Sequence, residues 1–272
     1  MGIFGEESSA LWQFGGYLGL WIGLWLPIAV PLSLVLRWHP FKDSTPQQKL
    51  PLVASLYLVF LGLFSYAQWG LGVDFSRYGL TWDGELGRSL GFGLGLGALG
   101  IALTFGMETV LGWLRWRQQN WLTWGKLTLP LLALALWIGW TEELIFRGLL
   151  QTQLEKDYAG AIAALIGSLI FALLHLLWER RQTLPQLPGL VLMGLVLVEA
   201  RWLNGGSIGL AWGLHAGWVW LLASLDAAEL LDYQDSAPAW GVGVYRHPLA
   251  GLAGITCLLV TAGVLISLNR GG

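Results

Sequence analysis

The sequence predicts an all-α, polytopic membrane protein of about eight transmembrane helices. Hydrophobic residues make up 55% of its 272 residues and charged residues only 12%. An ordinary soluble domain is about 25% charged. Apolar stretches also recur at roughly the 20 residues that a helix needs to cross the hydrocarbon core. Together these exclude a disordered chain and argue against a soluble enzyme. The 18 Trp suit membrane interfaces, and the 38 Gly suit close helix contacts. A formal net charge of -2 offers no basic footprint for nucleic acid. The single Cys257 excludes an internal disulfide framework and a multi-cysteine metal site.

The first span, 11–36, follows an acidic stretch with Glu6 and Glu7. It is too long and lacks the basic flank of a cleavable signal peptide, so it reads as a retained helix. The second is 50–72, after a polar loop from Trp38 and Pro40 to Lys49. The third, 88–112, contains Gly91, Gly93, Gly95, Gly97, Gly100 and Gly106. Its overlapping Gly-x-x-x-Gly spacings predict a helix packed tightly on its neighbours. Arg115 to Lys126 mixes basic residues with Trp113, Trp116, Trp121 and Trp124 and reads as an interfacial belt. The remaining spans are 125–150, 158–178, 186–203, 206–225 and 248–269. No fixed repeat and no domain boundary interrupts them, so 1–272 reads as one transmembrane domain. Nine Lys/Arg in the loops opposite the termini, against five on the terminal side, place both termini outside and the first loop in the cytoplasm.

Ionisable residues inside spans are expensive and mark function by default. Glu143 and Arg147 are four apart, share a helical face and can pair. Glu142 is rotated about 100° from Glu143 and is left for another task. His175 and His215 lie in apolar spans. A turn at Asp157-Tyr158-Ala159-Gly160 places Glu142 and His175 equally far from it on two antiparallel arms. They then share one depth and can share a water, with Glu142 as general base. A helix running on from 125 to 156 exceeds one bilayer thickness and must tilt, protrude or kink near Pro130. Glu199 and Arg201 read as interfacial charges, and His39 and His247 as solvated loop residues.

Three patterns in order, Glu142-Glu143-Leu144-Ile145-Phe146-Arg147, Phe171-Ala172-Leu173-Leu174-His175 and a later His215, resemble the CPBP family of intramembrane proteases. This family includes the CAAX prenyl protease 2 type enzymes and the bacterial Abi proteins. The resemblance covers roughly 125–225. It implies that Glu142 and His175 activate a water, Glu143 and Arg147 hold the first motif, and His215 stabilises the oxyanion. It implies a glutamate-dependent hydrolase without cofactor, acting on a membrane-anchored peptide or protein, CAAX-like or other. Zinc held by Glu142, His175 and His215 is the alternative, because three N/O ligands plus water make a catalytic site. The sequence departs from the pattern at Val219, where the family often has Asn or Asp four residues after the His. A valine cannot donate to an oxyanion, so a catalytically weak or inactive membrane scaffold is the second reading. A proton-relay transporter is the third, and it requires a continuous polar path.

Overall fold

In a bilayer no water satisfies the backbone, so apolar segments satisfy their own N–H and C=O groups as helices. The computed structural model describes residues 9–39, 42, 44–178 and 180–271. Helix α1 is Ala10–Val35 and α2 is Pro46–Ser65, extended by a π-helical turn at Tyr66–Gly70. Helix α3, Gly84–Val110, starts where the Asp83 carboxylate accepts the Leu86 N–H at 2.8 Å. Strand β1, Leu114–Trp116, precedes α4, Trp121–Glu143. A π-helical segment, Leu144–Leu150, joins α4 to α5, Gln151–Asp157. Then follow α6, Gly160–Leu174, the short α7, Arg180–Thr183, and α8, Leu187–Leu203. Helix α9 is Gly209–Ala227, β2 is Leu231–Tyr233, α10 is Ala239–Val242 and α11 is Leu252–Gly271.

Each predicted span coincides with a helix, but the predicted count of eight spans is corrected. Among the described residues six helices are long and apolar enough to cross a membrane, and they make the protein a multi-pass integral membrane protein. The two that fall short are α9 and α11. Helix α9 lies against α3, α4 and α8, and most of its first half is buried. A helix that faces other helices needs small and aromatic residues at the contacts, and these dilute its hydropathy. The expectations on Glu6, Glu7 and Pro40 lie outside the described residues.

Glycines set the closest contact, α3 against α9. A Cβ built on Gly93 would lie 2.5 Å from Leu210 O, and one on Gly97 2.6 Å from Leu214 O. Across the interface, one on Gly217 would lie 2.5 Å from Leu94 O. Of the two overlapping frames, 93/97 therefore carries the packing, while Gly91 and Gly95 have nothing within 4 Å. On its other side α9 is stapled to α4 by indole N–H groups. Trp212 donates to Leu136 O and Trp220 to Thr128 O, each at 2.8 Å, and Trp124 donates to Ser224 Oγ at 3.2 Å. The partners step by equal intervals in opposite directions, as antiparallel helices require.

The long helix does not break at Pro130, which sits inside α4. The irregularity is the π-helical segment directly after Glu143. The tryptophan-rich belt contains a two-stranded ribbon: β1 pairs antiparallel with β2, and Arg117 donates to Asp232 at 2.8 Å, which holds the Asp232 carboxyl below its ordinary range. Two further expectations, on Arg201 and His247, are corrected. Arg201 does not snorkel to water. It is buried, pairs with Glu155 at 3.4 Å and donates to Thr152 Oγ1 at 2.8 Å, because Glu155 on α5 reaches it. Likewise His247 is half-buried, with Nε2 3.1 Å from Gln182 Oε1.

The apolar core has two parts. One gathers Phe105 of α3, Phe171 of α6, Leu197 of α8 and Leu214 of α9. The other gathers Phe14 of α1, Phe60 of α2, Trp140 of α4 and Leu154 of α5. Phe146, in the π-helical segment, packs against both. Replacing Gly93 by Ala is expected to cost about 1–3 kcal/mol through overpacking. Gly91→Ala is expected to stay within about 0.5 kcal/mol. Chemical unfolding in detergent micelles checks the pair, and equal effects would show that the contact is not set by frame 93/97.

Candidate active site

The site lies where the two core parts meet, and it is built on the end of α4. Successive helical residues point about 100° apart, so the adjacent carboxylates of Glu142 and Glu143 enter different environments. The Glu143 side chain is fully buried at 0% exposure, while that of Glu142 keeps 14%. Arg147, itself buried, donates from Nη1 to Glu143 Oε1 at 2.9 Å. Its Nη2 donates to Gly194 O of α8 at 3.3 Å, and its guanidinium sits over the Phe171 ring of α6, 4.3 Å from the centroid. Gly194 can present that carbonyl because α8 closes tightly on α6: a Cβ there would meet Ser168 at 2.7 Å.

His215 of α9 completes the buried group. Its Nδ1 lies 2.7 Å from Glu143 Oε1. A carboxylate only accepts, so Nδ1 carries the proton and donates. The other ring nitrogen, Nε2, faces Glu142 Oε2 at 3.8 Å. That carboxylate oxygen is buried and has no hydrogen-bond partner among the described residues. The second oxygen, Oε1, accepts a short hydrogen bond from the Tyr57 hydroxyl of α2. Tyr57 is buried and is held by the rings of Trp21 and Trp137, at centroid distances of 6.4 and 6.3 Å.

His175 stands at the end of α6. Its Nδ1 donates to Phe171 O of its own helix at 2.8 Å, which leaves Nε2 as the free ring nitrogen. Its ring packs on Phe171 at 4.6 Å, and Phe171 in turn faces His215 at 6.2 Å. His215 faces Glu142 directly, a neighbour that equal depth along the chain did not report. Depth along two antiparallel helices does not fix how either is rotated about its axis.

A cavity of about 510 Å³ opens between α2, α4 and α9, with none of the four polar residues Tyr57, Glu142, His175 and His215 in its lining. Its wall is apolar and aromatic and includes Trp137, Trp140 and Trp212, with Gln68 contributing a buried Oε1. Trp137 links this wall to Tyr57, one step from Glu142. The three zinc candidates do not converge as a ligand set. Among the described residues no group of three or more His, Cys, Asp or Glu is placed to hold a metal ion.

Residues 123–221 match the family described as type II CAAX prenyl endopeptidase, Rce1-like. The chain carries a domain of this family. No curated protein and no solved structure matches the chain. The Rce1-like match begins in α4 and ends in α9. It includes Glu142, Glu143, Arg147, His175 and His215 and excludes α2 with Tyr57. Tyr57 also escaped the sequence reading, because a lone tyrosine in an apolar span resembles core. The available signal was that a buried tyrosine hydroxyl finds a hydrogen-bond partner.

Within the Rce1-like domain the Glu143–Arg147 pair has no access to water. Removing one partner of such a pair leaves a buried, uncompensated charge. Arg147→Met is expected to destabilise the protein by about 3–5 kcal/mol. Denaturant unfolding in micelles measures this, and a loss below about 1 kcal/mol would mark the pair as no more than a surface bridge.

Proposed function

We propose that the protein is an intramembrane endopeptidase. It hydrolyses peptide bonds of membrane-anchored substrates, CAAX-like or other, within a single transmembrane domain whose catalytic core is about 125–225. The observation that carries this reading is the opposite fate of two neighbouring carboxylates. Glu143, fully buried, is held by Arg147 and His215, while Glu142 accepts from the neutral Tyr57 hydroxyl and keeps 14% of its side chain exposed. Membership of an endopeptidase family supports the same reading.

Glu142 acts as general base. Its Oε2 takes a proton from a water as the water oxygen bonds to the peptide carbonyl carbon. The carbonyl electron pair moves to oxygen, and the collapse of that intermediate breaks the C–N bond. Glu142 then returns the proton to the leaving nitrogen. His175, with Nε2 as its free acceptor, orients the water. His215, held by Glu143, turns its Nε2 toward the developing oxyanion. Arg147 fixes Glu143 and, through it, the His215 ring. The aromatic cavity, joined to Glu142 through Trp137 and Tyr57, is suited to an apolar part of the substrate entering from the bilayer.

Glu142→Gln keeps the shape of the site and removes the base. Cleavage of lipid-anchored and single-span peptides in liposomes is expected to fall by about 10²–10⁴-fold, with unchanged thermal unfolding. Adding a chelator is expected to leave the wild-type rate unchanged, since the candidate ligands do not converge. Wild-type turnover by Glu142→Gln would remove the general-base role. Absence of cleavage by either folded protein would favour the scaffold reading that Val219 raises.

A further inference from the structure

We propose that the Tyr57 hydroxyl is a catalytic residue: it supplies the oxyanion hydrogen bond that Val219 cannot. This rests on the hydrolytic reading above. Val219 lies four residues after His215 and so on the same face of α9. It brings no polar atom to that face. The neighbouring tryptophans do not replace it. Trp220 spends its N–H on Thr128 O at 2.8 Å. The Trp218 indole nitrogen lies against α3, 3.9 Å from a Cβ built at Gly100.

Tyr57 is placed where those side chains are not. It reaches Glu142 Oε1 from α2, across the site from α9. Its ring is packed by Trp21 and Trp137, so the hydroxyl has little freedom to leave the site. In the resting site its single proton is donated to Glu142. During attack Glu142 accepts the water proton and becomes neutral. In the same step the carbonyl oxygen gains the electron pair of the broken π bond and becomes negative. The favoured acceptor for the Tyr57 O–H therefore changes from Glu142 to the oxyanion. When the C–N bond breaks, the oxyanion re-forms a carbonyl, Glu142 passes its proton to the nitrogen, and the hydroxyl returns to Glu142. No proton is gained or lost by Tyr57 over the cycle. The donation to the oxyanion exists only around the transition state, and such an interaction raises kcat more than it changes KM.

Three variants test this in the liposome assay. Tyr57→Phe is expected to lower kcat about 10²–10³-fold, as for loss of one oxyanion donor, with KM and thermal unfolding little changed. Adding Val219→Asn to Tyr57→Phe is expected to restore part of the lost kcat, which a purely structural role for Tyr57 would not allow. Val219→Asn alone is expected to leave the wild-type kcat nearly unchanged, because a donor is already present. This last variant keeps the test decisive even if Tyr57→Phe does not fold. A Tyr57→Phe enzyme with wild-type kcat, or a Val219→Asn enzyme with a large gain in kcat, overturns the role of Tyr57 and leaves the proposed function standing. Absence of cleavage by both wild type and Val219→Asn overturns both.

Discussion

One guanidinium in a place without water constrains much of this bundle. Arg147 cannot reach solvent, so its donors and its flat faces must be satisfied by protein. Glu143 answers from one turn back on the same chain segment, Gly194 from α8 and Phe171 from α6. Each answer fixes a helix. The Gly194 carbonyl is within reach only because α6 and α8 touch without an intervening side chain. Phe171 lies under the guanidinium and also carries His175 through its own carbonyl. The ion pair is weak evidence for stability as such, since desolvation offsets much of its attraction. Its effect is to select one mutual arrangement of α4, α6 and α8.

Helix α9 has to bring His215 to that pair, and two different devices hold it. On the α3 side the glycines let the backbones touch, which favours one register because a shift would drive side chains into carbonyls. On the α4 side three indole N–H groups reach across to the opposite helix. With α9 clamped between α3 and α4, the Nδ1 of His215 is delivered to Glu143, and its Nε2 is left facing Glu142. The π-helical segment begins directly after Glu143. Such wide turns are frequent at functional sites, and this one widens the helix where both carboxylates project.

What the sequence made legible was local. Helix positions followed from apolar length, and the Glu143–Arg147 pair from a spacing of four residues. What it hid was tertiary. His215 and Glu143 are 72 positions apart, and no periodicity reports the rotation of α9 about its own axis. His175 illustrates the limit, because a depth shared with Glu142 says nothing of how either helix is turned about its axis. Arg201 looked like an interfacial cation because its partner, Glu155, lies 46 positions away. The ribbon of β1 and β2 was hidden because its Trp and Arg residues also suit a membrane interface. Among the glycines, two frames were equally good in sequence, and only the neighbour chosen by the fold selected 93/97.

The division of labour between Glu142 and Glu143 follows from the same geometry. One residue of helix rotation separates a carboxylate held by a cation from one that accepts from a neutral hydroxyl. If both were neutralised alike, neither would remain a base. If both were open, two like charges would compete for one proton. The pair therefore needs an asymmetric environment, and this chain supplies it from opposite sides. Arg147 and His215 stand against Glu143, and Tyr57 stands against Glu142. The α2 contribution comes from outside the matched segment, so that segment alone does not describe the whole site. Under the proposed mechanism, the polar side chain absent at Val219 is weighed together with the Tyr57 hydroxyl that α2 presents to Glu142.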